Sequence, residues 1–267
     1  MDSISKKAVG ILRKLAMNVH LQHEKAYSWW KWKECKTAAV GPMSHVEREF
    51  YLKFRPTLGG DDLVVYDIGA SVGVVSVCLA KLPNVKAIHA FEPIPASFEA
   101  LSKLVGGCPQ VQCHQVALSD EAGIRTMCLS RSADSSSLLP LTDLGLAEFP
   151  GTETDNRIQV RVTRLDDYVR ELSLPQPNLI KIDVQGFEDR VLRGGPITIR
   201  KAKYCVIEMS MLPLYEGSPL FDDIYKTMRG MGFQLIGFAG DLKGISGRQL
   251  QADGIFVNED ASCPLGS

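Results

Sequence analysis

The 267-residue sequence has no run of about 20 apolar residues, the length that a membrane-spanning helix needs. Residues 1–20 also lack the long apolar core and the small-residue cleavage site of a secretory signal. The seven cysteines include no Cys-x-x-Cys pair, and Cys108, Cys113 and His114 have no second pair to complete a metal site. An odd number of cysteines in apolar surroundings favours free thiols in a reducing compartment. The sequence therefore predicts a cytoplasmic protein.

The net charge is also small, at −1, which gives no general case for binding to nucleic acid. The charge is unevenly distributed, because residues 1–60 have eleven Lys or Arg and five Asp or Glu, which leaves the remainder at −7. Residues 27–33 contain all three tryptophans, interleaved with lysines. We expect residues 1–60 to form a helical N-terminal cap. The alternatives for this basic and aromatic segment are a peripheral membrane contact and a nucleic-acid surface.

From residue 61 to about residue 260, apolar strand patterns alternate with helical patterns, which is typical of an α/β domain with a parallel sheet. The rhythm breaks over 120–162, where two strand patterns flank a polar segment punctuated by Gly and Pro. We expect an inserted hairpin or lid there. Strands are predicted at 62–67, 85–91, 111–117, 178–183 and 203–208, helices at 72–82, 95–105, from 165, 187–193 and 221–231, and a closing hairpin at 233–238 and 254–258.

The first strand ends in a short glycine loop that precedes a helix, and an acidic residue follows the next strand. Asp67 is followed by Gly69-Ala-Ser-Val-Gly73, and Glu92 stands at the carboxyl end of the second strand. Open α/β sheets bind ligands at that edge, and a carboxylate there can accept hydrogen bonds from both hydroxyls of a ribose. The arrangement predicts a nucleoside site. The loop has three residues between its glycines, unlike the dinucleotide pattern G-x-G-x-x-G.

The loop with its preceding acid resembles the first motif of S-adenosylmethionine-dependent methyltransferases. Residues 179–188, read Leu-Ile-Lys-Ile-Asp-Val-Gln-Gly-Phe-Glu, and the following 191–195 resemble the second signature of the FkbM methyltransferase family. Further matching segments are 91–93, 117–120, 136–138, 162–166, 206–208 and 251–257. The likeness covers about 62–258. It implies a Rossmann-like class I methyltransferase fold, with a seven-stranded, mostly parallel sheet whose last strand is antiparallel.

The resemblance also implies which residues hold S-adenosylmethionine. The methionine part is expected to lie among Asp67, Gly69, Ala70, Ser71 and Gly73, and the ribose on Glu92. The adenine is expected between Pro93 and Ile94 on one side and Ala117 and Leu118 on the other, with Asp183 beside the donor sulfur. The family usually has Asn where this chain has Ser71, a shorter hydrogen-bonding side chain.

Methylation of amides or ring amines usually goes with an Asn/Asp-Pro-Pro-aromatic motif after the fourth strand. Here that place is Asp183-Val-Gln-Gly-Phe, which favours a hydroxyl oxygen as acceptor. Asp183, Glu188 and Glu208 lie at adjacent strand ends, where they could act as general base, orient the acceptor or hold one Mg²⁺. His114 and His45 are lesser candidates for the base, and Lys181 is expected to be structural.

The sequence thus predicts an O-methyltransferase that acts on a small-molecule hydroxyl, such as that of a sugar, a glycolipid or a polyketide-like compound. Three alternatives remain open. An NAD-dependent oxidoreductase is disfavoured by the spacing of the loop glycines. An RNA 2′-O-methyltransferase is disfavoured by the acidic catalytic half. A non-catalytic binding module could retain the same fold.

Overall fold

The computed structural model describes residues 62–130, 136–149, 152 and 156–259. The expected N-terminal cap over 1–60, with its basic and aromatic segment, lies outside these residues. The strands are β1 Leu63–Ile68, β2 Val85–Phe91, β3 Val111–His114, β4 Ala117–Ser119, β5 Gly123–Cys128, β6 Arg157–Arg164, β7 Leu179–Ile182, β8 Tyr204–Ser210, β9 Phe233–Lys243 and β10 Gln249–Asn258. The helices are α1 Val74–Ala80, α2 Pro95–Leu104, α3 Asp143–Glu148, α4 Leu165–Glu171, α5 Glu188–Gly194, α6 Pro196–Arg200 and α7 Phe221–Gly230.

The main sheet has seven strands in the order β3-β2-β1-β7-β8-β10-β9. Strands β3, β2, β1, β7 and β8 pair in parallel, whereas β10 pairs antiparallel with both β8 and β9. This confirms the expected α/β fold, with a mostly parallel sheet whose last strand is antiparallel. The order reverses beside β1, so the carboxyl ends of β1, β2, β7 and β8 meet at the switch point where such sheets bind ligands.

The central strands are apolar on both faces because each face is covered by helices. Tyr66 and Ile68 of β1 pack in one cluster, which includes residues of α5, α6 and α7. Leu63 and Val65 of the same strand pack in another, with Leu79 of α1. Successive side chains of a strand point to opposite faces, so a strand buried on both faces is a continuous apolar run in the sequence. This is why the sequence pattern located these strands.

The prediction of a single strand over 111–117 is wrong in detail, because the chain bends after His114. Strand β3 ends there in the main sheet, and β4 belongs to a second, three-stranded sheet of order β4-β6-β5. Strands β5 and β6 form the antiparallel pair predicted over 120–162. The action of this second sheet as a lid stays a prediction.

Two short helices, α3 and α6, were not predicted. Helix α3 lies in the segment expected to be irregular, and Thr142 caps it by accepting a hydrogen bond from the Gly145 N–H (3.0 Å). Gly145 weakens the helical pattern, but a Cβ at that position would overlap the Leu214 carbonyl oxygen. Helix α6 begins with Pro196, and its first turn donates backbone N–H groups to the carboxylate of Asp166.

Three of the segments that carry the family resemblance meet in the structure. The Arg193 guanidinium donates to the Asp120 carboxylate (3.0 Å), and Arg164 donates to the Asp120 backbone carbonyl (3.0 Å). Gly194 lies so close to Ser119 that a Cβ would overlap the serine's carbonyl oxygen. These contacts join β4, β6 and α5.

Candidate active site

The loop between β1 and α1 contains three residues with left-handed backbone: Gly69 (φ 79°), Ser71 (φ 47°) and Gly73 (φ 91°). The N–H groups of Gly69 and Ala70 both donate to the Phe91 carbonyl (3.0 and 2.9 Å), which fixes the loop to the end of β2. A Cβ on Gly69 would overlap the Asp183 carbonyl oxygen, so the loop needs glycine where it crosses the end of β7. The glycine loop and the residue after β7 are thus in direct contact.

Glu92 connects the two segments expected to surround a nucleoside. The residue is only 5% exposed. Its Oε2 accepts a hydrogen bond from the Ser71 N–H (2.9 Å), and its Oε1 accepts one from the Ile94 N–H (2.9 Å). A carboxylate oxygen has two lone pairs and can accept more than one hydrogen bond. The backbone therefore fixes the orientation of this carboxylate at the carboxyl end of β2.

Asp67 lies beneath the loop, not on its surface. The side chain is completely buried, and its Oδ2 accepts a hydrogen bond from the Ser76 hydroxyl (2.7 Å). Its Oδ1 has no hydrogen-bond partner among the described residues and lies 3.8 Å from the Lys181 ammonium. Direct contact between this side chain and a donor, as expected from the sequence, does not agree with such burial. Asp67 instead supports the loop from below.

The residues expected around the adenine divide into two groups. Ile94 and Ala117 are both 8% exposed and belong to one apolar cluster with residues of β5 and β6, and Pro93 beside them is half-buried. Leu118 points to the opposite side of β4, into the main core, and Ala70 packs in the core beneath α1 and α2. A donor could therefore reach Leu118 and Ala70 only through their backbone.

Asp183 and Glu208 come together at the ends of β7 and β8, and both bind the side-chain amide of Gln185. The Gln185 Nε2 donates to Asp183 Oδ1 (2.7 Å) and to Glu208 Oε2 (2.9 Å). Glu208 Oε2 also accepts a hydrogen bond from the Gln251 amide (2.7 Å). The two carboxylates predicted at this edge are thus neighbours, joined by one glutamine.

Lys181 lies within β7 and places its ammonium against two acids. Its Nζ is 3.1 Å from Asp183 Oδ2 and 3.8 Å from Asp67 Oδ1. Burial alone lowers a lysine pKa, but the charges of Asp183, Asp67 and Asp253 outweigh it here and raise the pKa of Lys181 above its usual value. The lysine is therefore charged and compensates part of the negative charge of the site.

Glu188, the third predicted carboxylate, folds back under its own loop. It is 3% exposed, and its Oε1 accepts hydrogen bonds from the backbone N–H groups of Val184 and Gly186 (3.1 Å each). Burial raises the pKa of Glu188 to about 7, the two backbone donors oppose this rise, and the neighbouring Asp183 adds to it. These contacts shape the loop between β7 and α5.

Sequence reasoning did not select Gln185, Tyr215 or Ser137. The Tyr215 hydroxyl donates to Gln185 Oε1 (2.9 Å), and the Ser137 hydroxyl donates to the Gln185 backbone carbonyl (2.6 Å). Gln185 and Ser137 both lie in segments that resemble the family, which was an available signal. Tyr215 lies thirty residues beyond Gln185, in the connection after β8, and only the fold brings it to the site.

The histidine candidates do not reach this site as bases. His114 is 4% exposed and stacks on Phe91, with its Nε2 3.0 Å from His89 Nδ1 and its Nδ1 3.2 Å from the Tyr168 hydroxyl. Burial, together with the His89 charge, lowers the pKa of His114 to about 4. His114 is therefore a neutral core residue, and His45 lies outside the described residues.

No group of three His, Cys, Asp or Glu within the described ranges could hold a metal ion, so the suggested Mg²⁺ has no support there. The five cysteines in these ranges are free thiols. Among the helices of the described part of the chain, none is long and apolar enough to cross a membrane.

Comparison with known protein families identifies the family of this chain. The profile of the methyltransferase FkbM domain matches residues 67–235, which is more than half of the chain. The chain belongs to the FkbM methyltransferase family. This confirms the resemblance seen in the sequence, and it favours neither an RNA 2′-O-methyltransferase nor an NAD-dependent oxidoreductase.

Several characterised methyltransferases are similar in sequence. The 31-O-demethyl-FK506 methyltransferase FkbM of Streptomyces tacrolimicus is 30% identical over 198 residues, which cover 65% of this chain and 73% of that protein. The 2-O-methyltransferase NoeI of Sinorhizobium fredii is 30% identical over 162 residues, or 58% of this chain and 67% of that protein. The hexuronic acid methyltransferase AglP of Haloferax volcanii is 26% identical over 156 residues, or 56% of each chain.

Among solved structures, Aeropyrum pernix fibrillarin with natively bound S-adenosyl-L-methionine aligns with a TM-score of 0.44 and 12% identity. The alignment covers 74% of this chain and 67% of that chain.

Proposed function

We propose that this FkbM-family protein is an S-adenosylmethionine-dependent O-methyltransferase that methylates a hydroxyl group of a small molecule. The observation that supports this most strongly is the Glu92 carboxylate, which backbone N–H groups on both flanking segments hold at the carboxyl end of β2. The names of the relatives support the acceptor class, since two of them specify O-methylation and another a hexuronic acid.

The described residues fit the proposed donor. Glu92 places a carboxylate, a group that accepts hydrogen bonds from hydroxyls, between the Ser71 and Ile94 segments where the ribose is proposed to lie. Ile94 and Ala117 offer an apolar contact for a base nearby. The left-handed glycine loop lies between Glu92 and Asp183, where the amino-acid part of the donor would lie. When bound there, S-adenosylmethionine supplies an electrophilic methyl group.

Asp183 is the residue we assign to the acceptor's proton. Its carboxylate is partly exposed, and Lys181 and Gln185 hold one oxygen each. In the proposed step Asp183 would accept the proton of the acceptor hydroxyl as its oxygen takes the methyl group. S-adenosylmethionine would supply that methyl group and would leave with the electron pair of the broken bond on its sulfur. The proton on Asp183 then returns to water, so the protein is regenerated.

The other two carboxylates have different roles in this proposal. Glu188 positions the loop that contains Asp183, because its hydrogen bonds go to backbone N–H groups of that loop. Glu208 lies beside Asp183 and faces the acceptor. Lys181 balances the charge of Asp67 and Asp183 from within β7. A carboxylate that holds the acceptor and takes its proton needs this fixed geometry, since alignment of the reacting atoms supplies much of the rate.

Two measurements test the proposal. Calorimetry with S-adenosylmethionine and S-adenosylhomocysteine should show binding, whereas NAD should give no heat. Mass spectrometry of a panel of hexuronic acids, glycosides and 31-O-demethyl-FK506 should then show the gain of one methylene on at least one compound. Asp183→Asn should lower the rate of that transfer about 100-fold or more with S-adenosylhomocysteine affinity within threefold of the parent.

Asp222→Asn is the matched control, because Asp222 is an exposed acid that pairs with Lys226 on the surface of α7. It should leave both the rate and the affinity unchanged. Absence of heat with either sulfur compound would contradict the assignment of the donor. Transfer at the parental rate by Asp183→Asn would contradict the assignment of the base.

A further inference from the structure

Ser137 belongs to the segment 136–138, which resembles the family and to which the proposed reaction assigns no role. The residue is only 1% exposed. Its backbone pairs with Cys128 at the end of β5: the Ser137 N–H donates to the Cys128 carbonyl (3.1 Å), and the Ser137 carbonyl accepts from the Cys128 N–H (2.8 Å). The backbone of Ser137 is thereby attached to the second sheet.

The Ser137 hydroxyl joins this segment to the loop that follows β7. It donates to the Gln185 backbone carbonyl (2.6 Å) and accepts from the Leu139 N–H (3.0 Å). The partners fix the direction of both hydrogen bonds, because a carbonyl oxygen can only accept and a backbone N–H can only donate. Ser137 is so deeply buried that bulk water cannot take over either contact. Both contacts therefore depend on a hydroxyl at this position.

The hydroxyl binds a peptide unit that is held at both ends. Ser137 binds the carbonyl of Gln185, and the N–H of the following Gly186 donates to Glu188 Oε1 (3.1 Å). Gln185 has a left-handed backbone (φ 55°), which is unfavourable for a residue with a Cβ. Such a backbone persists where its surroundings fix it. Ser137 and Glu188 therefore hold Gln185 in a conformation that the residue does not favour by itself.

The backbone conformation of Gln185 decides where its side chain lies. The amide Nε2 donates to Asp183 Oδ1 (2.7 Å) and to Glu208 Oε2 (2.9 Å), so it bridges the two acids on the proposed acceptor side. A change in the backbone dihedrals of Gln185 would turn its Cα–Cβ bond and draw the amide away from one or both carboxylates. The placement of the amide thus depends on the contact with Ser137.

The residues after Ser137 extend this connection to both sides of the proposed site. Leu138 packs against the apolar cluster that contains Ile94, where the adenine is proposed to lie. Leu139 packs against the cluster that contains Tyr215, beside the proposed acceptor. Three consecutive residues therefore connect the proposed adenine side, the loop after β7 and the proposed acceptor side.

We propose that Ser137 is a positioning residue for the methyl transfer: its hydroxyl holds the backbone of Gln185, and the Gln185 amide in turn holds Asp183 beside Glu208. The inference rests on the proposed function, in which Asp183 takes the acceptor's proton. It adds Ser137 to the residues on which that geometry depends, although the hydroxyl itself is occupied by backbone groups.

Hydrogen exchange of the Gln185 side-chain NH₂ group tests this inference without any acceptor. The full-length protein is labelled with nitrogen-15, and Gln185→Gly identifies the NH₂ resonances by their loss, since glycine accepts a left-handed backbone. In the parent the NH₂ group donates to two carboxylates, so its exchange with water is slow. Ser137→Ala should raise that exchange rate about tenfold, because the amide is no longer held in place.

Ser136→Ala is the matched control, because it removes the hydroxyl of the neighbouring serine in the same segment. The Ser136 hydroxyl oxygen accepts from the Ser130 N–H (3.0 Å), and Ser136 is buried like Ser137. Each alanine removes a hydroxyl acceptor from one backbone N–H, so both should lower thermal stability. Ser136→Ala should leave the exchange rate of the Gln185 amide within about twofold of the parent, because this hydroxyl does not bind the loop after β7.

Transfer to a compound that the acceptor panel identifies gives a second readout. Ser137→Ala should lower kcat about 10- to 100-fold, with S-adenosylhomocysteine affinity within about threefold of the parent, because misplacement of a reacting group has effects of this order. In the Gln185→Gly background the same substitution should lower kcat by less than about twofold, since no amide remains for Ser137 to position. Ser137→Cys keeps a weak S–H donor and should give intermediate values in both measurements.

Three outcomes would overturn the inference. One is a folded Ser137→Ala protein, or a Ser137→Cys protein where the alanine variant does not fold, whose Gln185 amide exchanges at the parental rate. Another is a Ser136→Ala protein in which this exchange rises as much as in Ser137→Ala. The third is an equal loss of kcat from Ser137→Ala in the parent and in Gln185→Gly. Calorimetry with S-adenosylhomocysteine on the same samples separates these outcomes from failure of the proposed function, because donor binding and amide exchange are independent readouts.

Discussion

Substitution of Glu92 by Gln tests the proposed donor site most directly. The carboxylate now accepts one N–H on each oxygen. Glutamine replaces one oxygen by NH₂, which cannot accept, so the N–H of either Ser71 or Ile94 loses its partner. A hydrogen bond between a charged group and a ribose hydroxyl contributes about 1.5–3 kcal/mol, and the same substitution removes one and weakens the other. We therefore expect a loss of about 2–4 kcal/mol in donor binding, which raises Kd about 30- to 1,000-fold.

Isothermal calorimetry with S-adenosylhomocysteine measures this change in affinity. The backbone N–H that loses its acceptor should also lower the free energy of unfolding by about 1–3 kcal/mol, which urea denaturation measures. Glu99→Gln is the matched control, since Glu99 is an exposed acid on α2 whose carboxylate pairs with Lys103. It should change neither quantity. A folded Glu92→Gln protein that binds S-adenosylhomocysteine within twofold of the parent would refute the placement of the ribose on Glu92.

Two further substitutions test local features of the site. Ser71 has a left-handed backbone (φ 47°), which asparagine tolerates better than serine. Ser71→Asn should therefore raise the free energy of unfolding by about 0.5 kcal/mol in urea denaturation. A lower free energy of unfolding would show that the serine side chain is needed. Glu188→Gln should remove a pH dependence of stability. The folded pKa of Glu188, about 7, lies above its usual 4.5, so its contribution is fully present below pH 4.5 and is lost as the pH rises through 7. The glutamine of the variant keeps an oxygen that can accept from both backbone donors. In urea denaturation, the free energy of unfolding of the variant relative to that of the parent should therefore rise by about 3 kcal/mol from pH 4.5 to pH 8. An equal pH dependence in both proteins would show that Glu188 does not titrate in this range.

The central strands could be predicted from the sequence because burial on both faces requires continuous apolar runs such as those of β1, β7 and β8. The bend after His114 could not, because β3 and β4 are only four and three residues long, and neither is long enough to show a pattern that marks where the chain leaves one sheet for another. Helix α3 was missed because it is six residues long and includes Gly145, and tertiary contacts stabilise it where intrinsic propensity does not.

The residues of the candidate site were likewise only partly predictable from the sequence. Glu92 could be predicted because its position depends only on where β2 ends, and a strand end can be read from local sequence. The pairing of Asp183 with Glu208 was partly predictable, since parallel strands place their ends together. Gln185 could not be assigned, because its contacts depend on its left-handed backbone and on Tyr215, a residue thirty positions away. Local sequence has no signal for either condition.

The loop from Asp183 to Glu188 is the part of the molecule where the proposed donor and acceptor sites meet. Gly69 of the donor loop packs against the Asp183 carbonyl, and the Asp183 N–H donates to the carbonyl of Ile68 at the end of β1 (3.0 Å). On its other side, the same loop is bound by Ser137 and Tyr215 through Gln185. A shift of the donor loop must therefore move the carboxylate that we assign to the acceptor's proton. For this reason the alignment of the two substrates depends on packing between β1 and β7 as much as on the side chains that touch either one.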